Sequence, residues 1–252
     1  MYYCFMDFDG TLTINNKNLN KEAINIINKY LINNELCIIT EENYDLIKEY
    51  LFTNNIKCDI ASIGSNTLLF HNQLIKGNIP LIKIKKIFNL CKDNIYTAYL
   101  ESINKTQIIN YQERLDSIYP KINREIINNP KEKANSIFLA INNSIKNLLI
   151  NLLLELKIAY KILGEDKNRI ILRLSSNFND KIDIYYYLED YLKDKKIIGI
   201  SDSYTDIPIL DKCDIKIAMK NGDEIIKNKY EITKYDVNNN GALIALKDIC
   251  KL

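Results

Sequence analysis

Histidine, paired cysteines, an excess of charge of one sign and long apolar runs are all scarce or absent in this sequence. His71 is the single histidine, and none of the six cysteines belongs to a C-x-x-C pair. Basic and acidic residues number 34 and 32, which leaves a formal net charge of +2. So small an excess creates no global field that would attract nucleic acid or an anionic membrane, and neither is expected as a partner.

The longest apolar run, residues 148–156, is interrupted by Asn151 and Glu155. Because a membrane-spanning helix needs roughly 20 apolar residues, no span is expected. Residues 1–10 lack the basic start and the apolar region of a secretory signal. Most cysteines lie in apolar stretches, where a thiol acts as a small hydrophobe. We therefore expect a reduced, cytoplasmic setting.

Short strand-like runs alternate with helical patterns at both ends of the chain. Strands are predicted at residues 2–6, 36–39, 60–63, 197–200 and 215–219, with helices between them and after Gly241. The strands are apolar on both faces, which is typical of a parallel sheet covered by helices on both sides. The predicted fold class is therefore α/β, with a Rossmann-like parallel core.

The middle of the chain follows a different pattern. Helices are predicted at residues 81–91 and 144–156, and strands at 96–100, 136–141, 158–163 and 169–174. These elements do not alternate regularly, which favours an inserted α+β domain. The predicted boundaries are 1–77 and 178–252 for the core, and 78–177 for the insert.

Two carboxylates follow the first predicted strand directly, in the stretch CFMDFDGTLT at residues 4–13. Side chains two apart on a strand point the same way, so Asp7 and Asp9 can face one site. Carboxylates about 4 Å apart at an effective dielectric near 20 repel by roughly 4 kcal/mol. A bound cation, a shared proton or separation in solvent would offset that repulsion.

Further polar side chains occupy equivalent places in the pattern. Thr40 follows a strand, Lys181 opens a predicted helix, and Asp202 and Asp206 follow another strand. Ligands collect at the carboxyl ends of parallel strands, so we expect these residues to share one site. Taken singly, Thr40 would be a helix N-cap, Lys181 a surface charge and the two aspartates a solvated helix start. Their common placement favours the shared site.

Two other kinds of site do not fit this stretch. An EF-hand loop beginning at Asp7 needs Gly at its sixth position and Glu at its twelfth, where this chain has Leu12 and Asn18. The glycine-rich G-x-x-x-x-G-K-[ST] loop of nucleotide-binding proteins is absent. His71 lies in a polar segment typical of a hairpin turn, and we do not expect it to be catalytic.

The stretch Asp7-Phe8-Asp9-Gly10-Thr11-Leu12 resembles the first motif of the haloacid dehalogenase superfamily of phosphohydrolases. Thr40, Lys181 and residues 199–206 (GISDSYTD) resemble the second, third and fourth motifs, in the family's order. Residues 218–222 (AMKNG) and 240–242 (NGA) resemble stretches of the Cof-type phosphatases. In those proteins a cap is inserted between the second and third motifs, so residues 78–177 are expected to be a cap that selects the substrate.

The resemblance implies an enzyme that hydrolyses small phosphate monoesters, such as sugar phosphates, through an aspartyl phosphate. Asp7 would be the nucleophile, and Asp9 would protonate the leaving oxygen and then activate water. Mg²⁺ would be held by the Asp7 side chain, the Asp9 carbonyl and Asp202. The remaining implied residues are the phosphate ligands Thr40, Lys181 and Gly10 and the supporting residues Asp206 and Thr205. Asp206 follows Asp202 by four residues and is expected on the same helical face, where it would orient metal-bound water or Lys181. The expected partner is a small phosphorylated metabolite, bound by a monomer or homodimer.

Four positions depart from the family pattern. Glu41 and Glu42 replace a Gly-Arg pair, Ser201 replaces a glycine, and Thr205 replaces an asparagine. They motivate one alternative, a catalytically weak phosphate-binding regulatory protein. A second alternative keeps the aspartyl phosphate but passes it to a sugar hydroxyl, as a phosphotransferase or mutase does.

Overall fold

The computed structural model describes residues 1–102, 105–111 and 124–252. Their strands, in chain order, are β1 (Tyr2–Asp7), β2 (Glu35–Thr40), β3 (Asp59–Ser62), β4 (Thr67–Phe70), β5 (Gln73–Lys76), β6 (Ile95–Ser102), β7 (Lys105–Ile109), β8 (Arg124–Ile126), β9 (Ser136–Asn142), β10 (Ala159–Glu165), β11 (Arg169–Ser175), β12 (Lys196–Ser201), β13 (Ile215–Ala218) and β14 (Glu231–Ile232). Their α-helices are α1 (Lys21–Tyr30), α2 (Tyr44–Thr53), α3 (Leu81–Cys91), α4 (Lys146–Glu155), α5 (Lys181–Leu192), α6 (Ile207–Leu210), α7 (Glu224–Lys227) and α8 (Gly241–Cys250).

The larger of two sheets has the strand order β14-β13-β12-β1-β2-β3-β4-β5. It is parallel from β14 to β3, whereas β4 and β5 add an antiparallel hairpin at one edge. That hairpin turns at His71 and Asn72, both with positive φ, as the polar segment predicted. The central strand is β1, flanked by β2 and β12, so the ends of these three strands lie side by side.

Alternate residues of β1 enter different hydrophobic cores, as the two-residue period of a strand requires. Cys4 and Met6 pack in a core with residues of α1, α2 and α8. Tyr3 and Phe5 pack in another core, with residues of α5 and α6. Helices therefore cover both faces of the sheet, and the predicted α/β class with a Rossmann-like core is confirmed.

The smaller sheet has the order β10-β11-β9-β6-β7-β8 and is antiparallel except where β7 pairs with β8. Its apolar residues form a separate core with α3 and α4, to which Ile84 and Leu149 belong. The chain passes between the sheets near residues 77 and 177, where Asn78 N donates to Ser176 Oγ at 2.8 Å. The predicted boundaries fall at these crossings, and the division into two domains stays a prediction.

No helix of the described residues combines the length and the apolar character that a bilayer crossing requires. All six cysteines are free thiols.

Candidate active site

Three neighbouring strands end at one edge of the larger sheet, and each ends on a polar residue. These residues are Asp7 of β1, Thr40 of β2 and Ser201 of β12. Lys181 is the first residue of α5, whose N-cap Asp180 forms a reciprocal capping box with Asp183. Such a box fixes the start of a helix, so the place of Lys181 over the sheet edge is set by its own flanking sequence.

Lys181 joins two carboxylates in the buried centre of this edge. Its Nζ donates to Asp7 Oδ1 at 2.5 Å and to Asp206 Oδ2 at 2.7 Å. All three residues are less than a tenth exposed. Burial by itself lowers the pKa of Lys181, but the charges of Asp7 and Asp206 raise it overall, so the amine stays protonated.

The carboxylates at this edge outnumber the cations. Burial raises the pKa of Asp7, although the charge of Lys181 partly offsets the effect. Burial, followed by the charge and the hydrogen bond of Asp7, raises the pKa of Asp202 to about 7. The pKa of Asp9 is also raised, by desolvation and by the charge of Asp7. The site therefore has an unmet need for positive charge or protons.

Gly10 allows Asp202 to approach the first loop. Its φ is +78°, and a Cβ at this position would lie 2.0 Å from Asp202 Oδ2. The resemblance implies that Gly10 contacts phosphate. In the structure its N–H donates to the Thr13 carbonyl at 2.8 Å, so that donor is already engaged in the turn.

The position of Asp206 corrects one sequence argument. Its spacing of four from Asp202 predicted one face of an α-helix, but residues 204–206 form a 3₁₀ turn and α6 begins only at residue 207. Ser201 replaces the expected glycine and holds Asp206 in place, since its hydroxyl donates to Asp206 Oδ2 at 2.6 Å. Asp206 thus reaches Lys181 through a turn fixed by side chains.

Thr40 and Thr205 lie at the border of the site. The Thr40 hydroxyl accepts a hydrogen bond from Glu42 N at 3.0 Å. Thr40 is not the N-cap of α2, because Asn43 fills that role. The exposed Thr205 hydroxyl lies 2.8 Å from Ser203 Oγ and 3.5 Å from Asp206 Oδ1. Within the described chain, no hydrogen bond joins either threonine to Asp7 or Lys181.

Two supporting residues were not assigned a role from sequence. The Thr11 hydroxyl donates to Asp202 Oδ1 at 3.3 Å. Asn221 donates through Nδ2 to the Gly10 carbonyl at 2.7 Å and accepts from Val237 N at 2.9 Å, so it ties the first loop to the last. Both lie inside stretches that resemble family motifs, and this location is the sequence feature that could have indicated a role for them.

A family model for haloacid dehalogenase-like hydrolases matches residues 4–246. The chain belongs to this family. The predicted membership and the predicted class of enzyme, a hydrolase, are confirmed. No curated protein matches the chain in sequence.

Solved structures share the fold over nearly the whole chain. Protein TM0651 of Thermotoga maritima is 17% identical with a TM-score of 0.77, and the match covers 98% of this chain and 97% of that one. BT1666 of Bacteroides thetaiotaomicron, a phosphatase of the haloalkanoate (HAD) superfamily, is 18% identical with a TM-score of 0.72 over 100% and 96% of the chains. The HAD subclass IIB sugar phosphatase BT4131 is 14% identical with a TM-score of 0.68, covering 100% of both.

The residues present in this hydrolase fit a divalent cation. Asp7 and Asp202 are close enough to share a hydrogen bond, and both have raised pKa values that a cation would lower. All the expected donors are oxygens, which Mg²⁺ prefers. The described residues contain no cluster of three or more His, Cys, Asp or Glu side chains suited to a metal. The ligand set expected from the sequence, two carboxylates and the Asp9 backbone carbonyl, stays a prediction.

A cavity of about 350 Å³ lies between the two sheets of this hydrolase, next to the site. Its lining comprises Glu41, Glu42, Asn43, Gly64, Glu101, Ser136, Phe138, Lys161, Leu163, Arg173 and Thr205. Glu41 pairs with Arg173 and, at 3.5 Å, with Lys161, both from the smaller sheet. Glu41 therefore contacts cations of the opposite wall and is not an unpaired charge facing the phosphate.

Proposed function

We propose that this protein is an Mg²⁺-dependent phosphatase that hydrolyses small phosphate monoesters through a phosphorylated aspartate. The observation that carries the proposal is the bridge from Lys181 to Asp7 and Asp206, next to Asp202. Three segments distant in sequence contribute to this cluster, around residues 7, 181 and 202–206. A nucleophilic carboxylate, a fixed cation and an acidic cation-binding pair are the groups that transfer of a phosphoryl group requires.

Asp7 is the proposed nucleophile. Its carboxylate is oriented by Lys181, and attack on phosphorus forms a new P–O bond while the bond to the leaving oxygen breaks. Water then cleaves the aspartyl phosphate and releases inorganic phosphate. Dividing the reaction in this way replaces one difficult displacement with two easier ones.

Asp9 is the proposed general acid and base. Its raised pKa supports this role, because an acid must hold a proton until the leaving oxygen needs one. After donating, the carboxylate can accept a proton from the attacking water. Asp9 lies two residues after Asp7, so the donor and the nucleophile stay on one turn.

Lys181 and Thr40 are the proposed phosphate ligands, with the ammonium acting as a point charge. When bound, Mg²⁺ would supply charge neutralisation between the nucleophile and the phosphoryl oxygens, held by Asp7, the Asp9 carbonyl and Asp202. Asp206 keeps Lys181 in position, and Ser201 keeps Asp206 in position.

Phosphate release from p-nitrophenyl phosphate and from a panel of sugar phosphates, with and without Mg²⁺, tests this function. Asp7→Asn should lower kcat on the order of 10⁴-fold or more, since it removes the nucleophile. Asp190→Asn is the matched control, because this carboxylate lies exposed on α5. It should leave the rate unchanged. Equal phosphate release by the wild type and Asp7→Asn across the panel would overturn the proposal.

A further inference from the structure

The cavity between the two sheets contains both positive and negative side chains, and both cations, Lys161 and Arg173, are paired with carboxylates. Lys161 donates to Asp180 at 3.0 Å and lies 3.5 Å from Glu41. Arg173 pairs with Glu41 through Nη1 and donates through Nη2 to the Asn179 carbonyl at 2.7 Å. A second anionic group on a substrate would have to displace an internal carboxylate to reach either cation.

Glu42 is a carboxylate of this cavity without a cationic partner among the described residues. It is half-buried, and Asp9 is near enough for the two charges to repel. Partial burial of an unpaired charge is unfavourable, and the second negative charge adds to the cost. A cation arriving beside Glu42 would relieve both effects.

Glu101 makes the same wall more acidic but is already hydrogen-bonded. It accepts from Ser65 Oγ at 2.9 Å and from Asn43 Nδ2 at 3.3 Å, both neutral donors. Glu42 accepts a backbone hydrogen bond from Asn43, but no cationic side chain among the described residues pairs with it, so it is the cavity carboxylate most open to a ligand.

We propose that the substrate's leaving group carries a protonated amine that pairs with Glu42, as in the phosphate ester of an amino sugar or amino alcohol. This inference rests on the proposed phosphatase function and specifies its substrate class. The same lining selects against leaving groups with a carboxylate or a second phosphate.

The test compares glucosamine 6-phosphate with glucose 6-phosphate, which differ only in an ammonium group replacing a hydroxyl. In the wild type, kcat/KM should favour the amine at least about tenfold, and 6-phosphogluconate should be the poorest of the three. Glu42→Gln should bring the amine-to-hydroxyl ratio close to one. The ratio cancels any effect of the substitution on the chemistry that both substrates share.

Glu49→Gln is the matched control, because Glu49 is an exposed carboxylate on the neighbouring helix α2. It removes the same charge and should retain the tenfold ratio. A wild-type ratio near one, or an unchanged ratio in Glu42→Gln, would overturn the inference while phosphate release from p-nitrophenyl phosphate left the phosphatase function intact.

If no ester is hydrolysed, the phosphatase function fails separately, and binding still decides the inference. Calorimetry with Asp7→Asn protein gives the affinities of both sugar phosphates without turnover. At least tenfold tighter binding of the amine supports the inference, and equal affinities overturn it.

Discussion

Each end of the larger sheet holds a lysine whose side chain is largely covered and is paired with a carboxylate, and the two clusters differ in charge balance. At the carboxyl ends of the strands, Lys181 faces Asp7 and Asp206, with Asp202 beside them. At the opposite end, Lys195 donates to Glu35 at 2.6 Å and to the Tyr191 hydroxyl at 2.9 Å. In the first cluster several carboxylates surround one lysine, whereas in the second one carboxylate, Glu35, is paired with one lysine.

The pKa values express this difference. Burial raises the pKa of Asp7 and Asp202. Burial also acts on Glu35, but hydrogen bonds from Lys195 and Tyr191 lower its pKa overall. The balanced cluster is what structural stability requires, and the unbalanced one is poised for a ligand. Cavity size alone would not single out the unbalanced cluster. The cavity at the Glu35 end measures about 730 Å³, whereas the cavity between the two sheets measures about 350 Å³.

Replacing each of the two lysines with methionine, in separate variants, should show that one lysine mainly serves activity and the other mainly serves stability. Lys181→Met removes the cation that orients Asp7 and is proposed to bind phosphate, so kcat/KM should fall by about 10³-fold. Lys195→Met should leave kcat/KM within about threefold of the wild type but lower the free energy of unfolding by about 1 to 3 kcal/mol, since Glu35 loses its partner. Phosphate release and urea unfolding measure the two quantities.

The comparison would be broken by the reverse pattern, in which Lys195→Met abolishes activity or Lys181→Met retains it. Circular dichroism of both variants establishes that each has folded.

Gly10→Ala tests how closely the first loop and Asp202 must approach. A Cβ would lie 2.0 Å from Asp202 Oδ2, on a backbone with φ of +78°. We expect a loss of about 2 kcal/mol in unfolding free energy and about 10²-fold in kcat/KM, because the displaced carboxylate is a proposed cation ligand.

Gly164→Ala, in β10, serves as the matched control for Gly10→Ala. The nearest atom to its added Cβ lies 3.9 Å away, on Ile171. Both quantities should stay close to wild type there. Equal effects of the two substitutions would show that the approach of Asp202 to Gly10 has no special importance.

The sequence predicted the sheet well where strands are apolar on both faces, and less well elsewhere. β1 and β12 were found because short continuous apolar runs that alternate with helical patterns are typical of buried parallel strands. β7 and β8 were not predicted. The first is half polar and the second has only three residues, so neither shows a clear pattern.

Motif order grouped Asp7, Lys181 and Asp202, which the structure brings together, but their contacts could be described only from the folded chain. Lys181 contacts Asp7 across 174 positions, which no local pattern indicates. The helical spacing assumed for Asp206 was wrong because the Ser203 hydroxyl accepts from Thr205 N and fixes a 3₁₀ turn there. Arg173 lies 132 positions after Glu41, so no local sequence pattern indicates that the two side chains pair.

Glu101 and Glu35 should respond to pH in opposite directions. Burial raises the pKa of Glu101 from 4.5 to about 7, so the folded state binds more protons than the unfolded state between these values. The free energy of unfolding therefore falls as pH rises through this window, by about 3 kcal/mol from this group. Glu101→Gln mimics the protonated acid and should remove that decline. Urea unfolding at pH 4.5, 6 and 8 measures it, and a wild-type-minus-variant difference that is constant with pH would contradict the assignment.

Glu35 carries the smallest expected effect. Its lowered pKa means that the folded state holds fewer protons than the unfolded state in acid. Its contribution is therefore fully present above pH 4.5 and is lost as pH falls through the folded pKa. Since the side chain is 24% exposed, we expect Glu35→Gln to cost about 1 kcal/mol at pH 7 and less at pH 3. The same unfolding series, extended to pH 3, provides the test. A cost that grows on acidification would show that Glu35 has a raised pKa, as Asp7 and Asp202 have.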